Sequence, residues 1–372
     1  MHNEKKSGWY HQSKNNAKTN GVDPEFLEIL NNIPGFFRPV SEKWIHLDQE
    51  TDNFIPIYLN SEIDQLQMSN LFSDGTFSVV RNSPFNQIYI FSKNITNSAN
   101  TRCFSYPLLM FLMKKRTKNS YIEILEFMKK IYYEKCGQEL TLKSIHSDAE
   151  YSFLSAMQEI FPRSNIFLCS VHILRAIQKN FKSKVSGIFY QNPDLLYIWR
   201  VLSGSLFLNL CDENILNELL TFLNGCDFLI DDIYRAGFLE FKQYLIKYYL
   251  SPGSPFNPGN FDYYNSILME GYMTTSTNCL ESLNRQLKDL SGSGYLSFNR
   301  TCGIIKDFKV HFIQMHEKKI VNDQMNKRKK RALNRENMLK DILDNFYDLP
   351  YEKQLSSTIS TSLYRWRLTT PY

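Results

Sequence analysis

Short runs dense in β-branched and aromatic residues punctuate the chain from Leu71 onward. Leu71–Val80 and Gln87–Ile95 read as two strands, joined by a turn at Asn82-Ser83-Pro84. A third extended run covers Arg102–Met113. The period then changes. Ser120 with Glu123 forms a capping box, Ile122, Leu125, Met128 and Tyr132 make a buried stripe, and Gly137 ends the helix. Leu142–His146 is a fourth strand, and Ser147 with Glu150 forms a second capping box. The helix behind it turns Phe153, Leu154, Met157 and Phe161 inward and stops at Pro162. Asn165–Cys169 is a fifth strand, followed by a helix carrying Ile173, Leu174, Ile177 and Phe181. The order β-β-β-α-β-α-β-α predicts an α/β fold, a mixed sheet with helices on both faces.

The rest of the chain has a different rhythm. Residues 1–69 comprise a polar arm to about Asn20 and a segment with Pro34, Pro39 and Pro56 to which no element is assigned. Residues 70–185 form the first part of the α/β core. Residues 186–272 read as an all-helical insertion, with stripes at Leu216, Leu219, Leu220 and Leu223 and at Phe238, Phe241, Tyr244 and Leu245. Residues 273–292 return to the core as one helix, stopped by Gly292 and Gly294, and 293–372 form a basic, helical C-terminal region.

Composition narrows the class. Hydrophobic residues make up 43% and charged residues 22%, a globular balance. The net charge of +5 is too mild to prove a nucleic-acid partner, so the placement of charge matters more. Seven cysteines without a framework spacing predict free thiols in a reducing compartment. The polar first twenty residues do not read as a signal peptide, and the most apolar stretch, Val201–Cys211, is too short to span a bilayer. No membrane partner is expected.

Three carboxylates draw attention. Asp74 sits mid-strand in Ser73-Asp74-Gly75-Thr76-Phe77, where an unpaired charge is costly. Asp148 sits where the fourth strand gives way to a helix. Alone it reads as a carboxylate favoured by a helix dipole. Glu281 lies on the helix after the insertion, opposite the stripe Leu280, Leu283, Leu287 and Leu290, on a side shared with Asn284, Arg285 and Lys288. Alone it reads as a partner of Arg285 on a wet face. Converging, the three would suit phosphodiester chemistry, in which two hard divalent ions activate a nucleophile and neutralise the leaving oxygen.

The order of motifs strengthens that reading. Asp74-Gly75-Thr76-Phe77 followed by Pro84-Phe85-Asn86-Gln87 resembles the first block of the Mutator-like (MULE) transposase domain. Ser147-Asp148-Ala149-Glu150, Ile160-Phe161-Pro162 and Cys169-Ser170-Val171-His172 resemble its second block. Thr277-Asn278-Cys279-Leu280-Glu281-Ser282 with Asn284 resembles the third, beyond a helical insertion. The likeness runs from about Leu71 to Lys288. It implies an RNase H-like fold, Asp74, Asp148 and Glu281 as catalytic and metal-binding acids, and two Mg²⁺ or Mn²⁺ ions. It also implies cut-and-paste transposition on DNA (element ends and target), a homo-oligomer on that DNA, and action in the nucleus. Cys169, His172, Asn278 and Asn284 are then signature residues beside the site.

Family members often carry zinc-binding modules, but no cysteine precedes Cys103 here, and Cys169 with His172 supplies only two ligands. Neither zinc nor a small-molecule cofactor is expected. The alternative reading is a domesticated, catalytically silent descendant acting as a DNA-binding or regulatory protein. Lys327-Arg328-Lys329-Lys330-Arg331 is the densest basic run, either a solvated face, a nuclear-localisation signal or, with Lys288, a phosphate contact. Lys114-Lys115-Arg116 and Lys118 read as a loop surface.

Overall fold

The computed structural model describes residues 45–46, 49, 51–77, 80, 85–96, 103–205, 210–251, 254, 256, 278–291 and 298–321. The turn at Asn82-Ser83-Pro84 and the basic run Lys327–Arg331 lie outside them. Among the described residues six strands form one mixed sheet: β1 (Phe54–Ile57), β2 (Asn70–Thr76), β3 (Gln87–Thr96), β4 (Cys103–Met113), β5 (Ser144–Ser147) and β6 (Asn165–Leu168). Their order is β1-β4-β3-β2-β5-β6, and the pairings of β1 with β4, β4 with β3 and β3 with β2 are antiparallel.

The α/β architecture is as expected, with corrections at the element ends. β1 falls in the segment to which no element was assigned. All four of its residues are buried, so no polar alternation marks it as a strand. β2 ends at Thr76 rather than running to Val80. Helix α1 (Lys118–Cys136) is capped by Thr117, whose side chain accepts from the Ser120 amide, and ends at Gly137 in the left-handed conformation. Ser120 is therefore inside the helix and buried, and Glu123 accepts instead from the Asn53 side chain at 2.7 Å. Ile122 is only half-buried, and Tyr121, Ile124 and Phe127 join the stripe. Ser147 is likewise the buried last residue of β5, and helix α2 (Tyr151–Ile160) begins four residues later.

The chain divides into two compact units. The first takes in Met1–Ile145, Ser152–Ser164 and Thr277–Asn326. Besides β1 to β4 it holds α1, α2, and two later helices, Asn278–Ser291 and Phe298–Val321. Because side chains alternate across a strand, Asp74 and Gly75 point to opposite faces of β2. The Gly75 face carries Tyr89 and Phe91, which pack with Tyr121 of α1 and Phe153 of α2 at ring separations of 5.1–6.1 Å. Asn278–Ser291 meets the Asp74 face, so helices cover both sides of this part of the sheet.

Phe298–Val321 is tied to β4 by a buried cation. Lys309, 2% exposed, donates to Glu62 at 2.7 Å and stands 4.5 Å over the Tyr106 ring. Tyr106 in turn donates to the other Glu62 oxygen.

The second unit takes in His146–Tyr151, Asn165–Ser276 and Lys327–Tyr372. Its described residues after β6 are largely helical: α3 (Ser170–Lys184), α4 (Pro193–Ser205), α5 (Glu213–Gly225) and α6 (Asp232–Leu245), followed by a π-helical turn at Ile246–Leu250. The two later helices of the first unit are labelled α7 (Asn278–Ser291) and α8 (Phe298–Val321). Phe181, Phe189, Trp199 and Phe241 form the second unit's aromatic core. Among the described residues no helix is long and apolar enough to cross a membrane.

Candidate active site on the Asp74 strand

Asp74 lies in β2 opposite Ile90 of β3 and is 8% exposed. A carboxylate this deep requires donors. The Gly75 amide donates to Oδ1 and the Asn284 side chain donates to Oδ2, both at 2.8 Å. These are charge-assisted bonds, which fix the carboxylate's plane as well as stabilise it.

The residue after Asp74 has to be small. A Cβ at Gly75 would stand 2.5 Å from Gln87 Oε1. Gln87 cannot easily retreat, because it is fully buried and its Nε2 donates to the Tyr121 hydroxyl at 2.9 Å. Gly75 and Gln87, which occur in adjacent halves of one sequence motif, thus meet across the β2–β3 pair. The glycine lets the amide lie against the strand backbone immediately beside Asp74.

Helix α7 supplies the other wall. Leu280, Leu283 and Leu287 are buried as expected, but Leu290 is 51% exposed and Ser291 takes its place inside. Asn284 is not on a wet face with Arg285 and Lys288, which are exposed. Its side chain reaches Asp74. Glu281 is half-buried and sits one turn before Asn284 on the same helix side, where residues three apart are neighbours at roughly 5–6 Å between Cβ atoms. Asn278 opens the helix.

Asn284 Oδ1 is buried without a hydrogen-bond partner. Rotating the amide would not help, since it would set oxygen against the Asp74 carboxylate. A hard divalent cation takes oxygen ligands, so Asp74, Glu281 and the Asn284 oxygen make a chemically suitable donor set.

In the second unit, Asp148 follows β5 directly and is half-buried, with the Ser147 hydroxyl at 3.5 Å, too long for a strong bond. Cys169, 1% exposed, stands at the N-cap of α3 with its amide bonded to the Ser147 carbonyl at 2.6 Å. His172 lies in the first turn of α3 and is half-buried.

Among the described residues no three of His, Cys, Asp and Glu stand close enough together to form a ligand group. Three carboxylates brought together without a cation would repel one another and raise at least one pKa. Cys136, Cys169, Cys211, Cys226 and Cys302 are thiols, not disulfides. Burial pushes the Cys226 thiol up to about 12, which makes it a poor nucleophile.

Sequence reasoning named Asp74 and Asn284 separately but not their bond, and it gave Gln87 no structural role. The available signal was the spacing of Glu281 and Asn284, which puts both on one helix side. No family model matches this chain, and no curated protein does either.

Proposed function

We propose that this chain is the catalytic domain of a DDE-type transposase of RNase H-like fold, which cleaves DNA phosphodiesters and transfers strands. The observation that carries the reading is the 2.8 Å bond from Asn284 to Asp74. It fastens the helix bearing Glu281 onto the face of β2 that bears Asp74.

In this reading Asp74, Asp148 and Glu281 are the catalytic acids and would hold two divalent ions. Asp148 follows β5, the neighbour of β2 in strand order. A bound pair of Mg²⁺ or Mn²⁺ ions would supply nucleophile activation near neutral pH and charge neutralisation at the leaving oxygen. The chain's own part is to aim the donors. The Gly75 amide and Asn284 restrain both Asp74 oxygens, and Asn284 holds its own oxygen available as a further acceptor. DNA ends and target are the substrates, the working form is an oligomer on that DNA, and the site of action is the nucleus.

Calorimetric titration with Mg²⁺ and Mn²⁺ tests the reading. Wild type should bind two ions, and Asp74→Asn should lose at least one. A wild-type chain that binds neither metal would contradict the reading and favour a silent, DNA-binding descendant.

A further inference from the structure

Three residues beyond Asp74, the chain exposes an aromatic ring. Phe77 is 45% exposed, and the Arg116 guanidinium stacks over it at 4.4 Å. Arg116 belongs to Lys114-Lys115-Arg116-Thr117, the four-residue connection between β4 and α1.

This connection is tied at both ends. The Lys114 amide donates to the Asn53 carbonyl at 2.7 Å, and the Asn86 side chain donates to the Lys114 carbonyl. Lys114 Nζ lies 5.6 Å over the ring of Phe85, which is buried. At the other end Thr117 caps α1. Lys118, the first residue of α1, pairs with Glu159 at 2.7 Å, and the connection itself carries three cations, Lys114, Lys115 and Arg116.

We propose that Phe77, Arg116, Lys114 and Lys115 form a landing surface for single-stranded DNA just past the end of the strand that carries Asp74. The proposal rests on the nuclease reading above and gives the substrate strand its path. Single-strand binders combine cations that track phosphates with an aromatic face on which a base stacks, and arginine adds a cation–π contribution. Both components are here: the ring follows β2, and the cations sit on a connection whose ends are fixed. A stacked duplex offers no base face to a lone ring, so the surface suits an unpaired strand. Three residues of chain span at most about 10 Å, which bounds the separation of the Phe77 and Asp74 backbones.

Fluorescence anisotropy with labelled oligo(dT), run against a duplex and against polyglutamate as competitors, tests the proposal. Phe77→Ala should weaken oligo(dT) binding by about fivefold or more. Lys115→Gln with Arg116→Gln should lower the slope of log K against log salt by roughly 0.7 for each phosphate the variant no longer neutralises. These side chains are exposed, and circular dichroism checks that the variants fold. Wild-type affinity and slope in both variants overturn the surface, while metal-dependent cleavage by those same variants would leave the nuclease reading standing. Competition by polyglutamate as strong as by oligo(dT) overturns it too, since charge alone would then explain binding. A wild type that binds no DNA overturns both.

Discussion

Asn284 and Asp74 stand 210 positions apart in the chain and share one charge-assisted hydrogen bond at 2.8 Å. The place of Glu281 in the proposed site leans on that bond, which joins its helix to β2. Asn284→Ala should reduce Mg²⁺ affinity by about 10–100-fold, the usual effect of losing a group that orients a metal ligand. It should also cost about 1–3 kcal/mol of stability, since a buried carboxylate oxygen loses a donor. Calorimetry and urea denaturation read the two effects separately. Wild-type affinity in the variant would show that Asn284 only closes the fold.

Gly75→Ala would drive a methyl group into the Gln87 amide. A destabilisation of about 1–3 kcal/mol follows, as for overpacking elsewhere. The check is a double-mutant cycle with Gln87→Ala. Removing the amide should absorb most of the Gly75→Ala penalty; equal penalties in both backgrounds would mean that the two residues do not meet.

Lys309→Met should destabilise the first unit by about 3–5 kcal/mol, because it leaves Glu62 buried without its cation. Adding Glu62→Gln should restore part of that loss, measured by urea unfolding. A harmless single substitution would show that water reaches the pair.

Changing Lys327, Lys329 and Lys330 to Gln should weaken DNA binding evenly across duplex sequences. The salt slope should fall by roughly 0.9 for each phosphate left without its cation. An unchanged slope with altered nuclear import would assign the run to localisation alone.

Local chemistry made much of the fold legible. The strand and helix order came through because β3 and β4 are long and aromatic, and because α2 and α3 have clean buried stripes at Phe153, Leu154 and Met157 and at Ile173, Ile177 and Phe181. β1 was not legible, being four uniformly buried residues with Pro56 among them. The two capping boxes misled for a common reason. Ser120 and Ser147 are both buried, and Glu123 takes a partner 70 positions away, which no local motif reports. At the site the acids could be chosen by type and order, but the bond that holds Asp74 to α7 is long-range. So is the fit of Gly75 against Gln87, which needs the register of two strands.

The central claim is that Asp74, Asp148 and Glu281 together drive metal-dependent cutting of DNA. Its most direct measurement is strand cleavage of a labelled duplex in Mg²⁺ and in Mn²⁺, comparing wild type with Asp74→Asn, Asp148→Asn and Glu281→Gln. Wild type should release 3′-hydroxyl ends, and each variant should fall to background in Mg²⁺ while still folding and binding DNA. Glu281→Gln should keep some activity in Mn²⁺, which demands less of ligand geometry. A wild type inert in both metals, or any one variant cutting at the wild-type rate in Mg²⁺, would contradict the account.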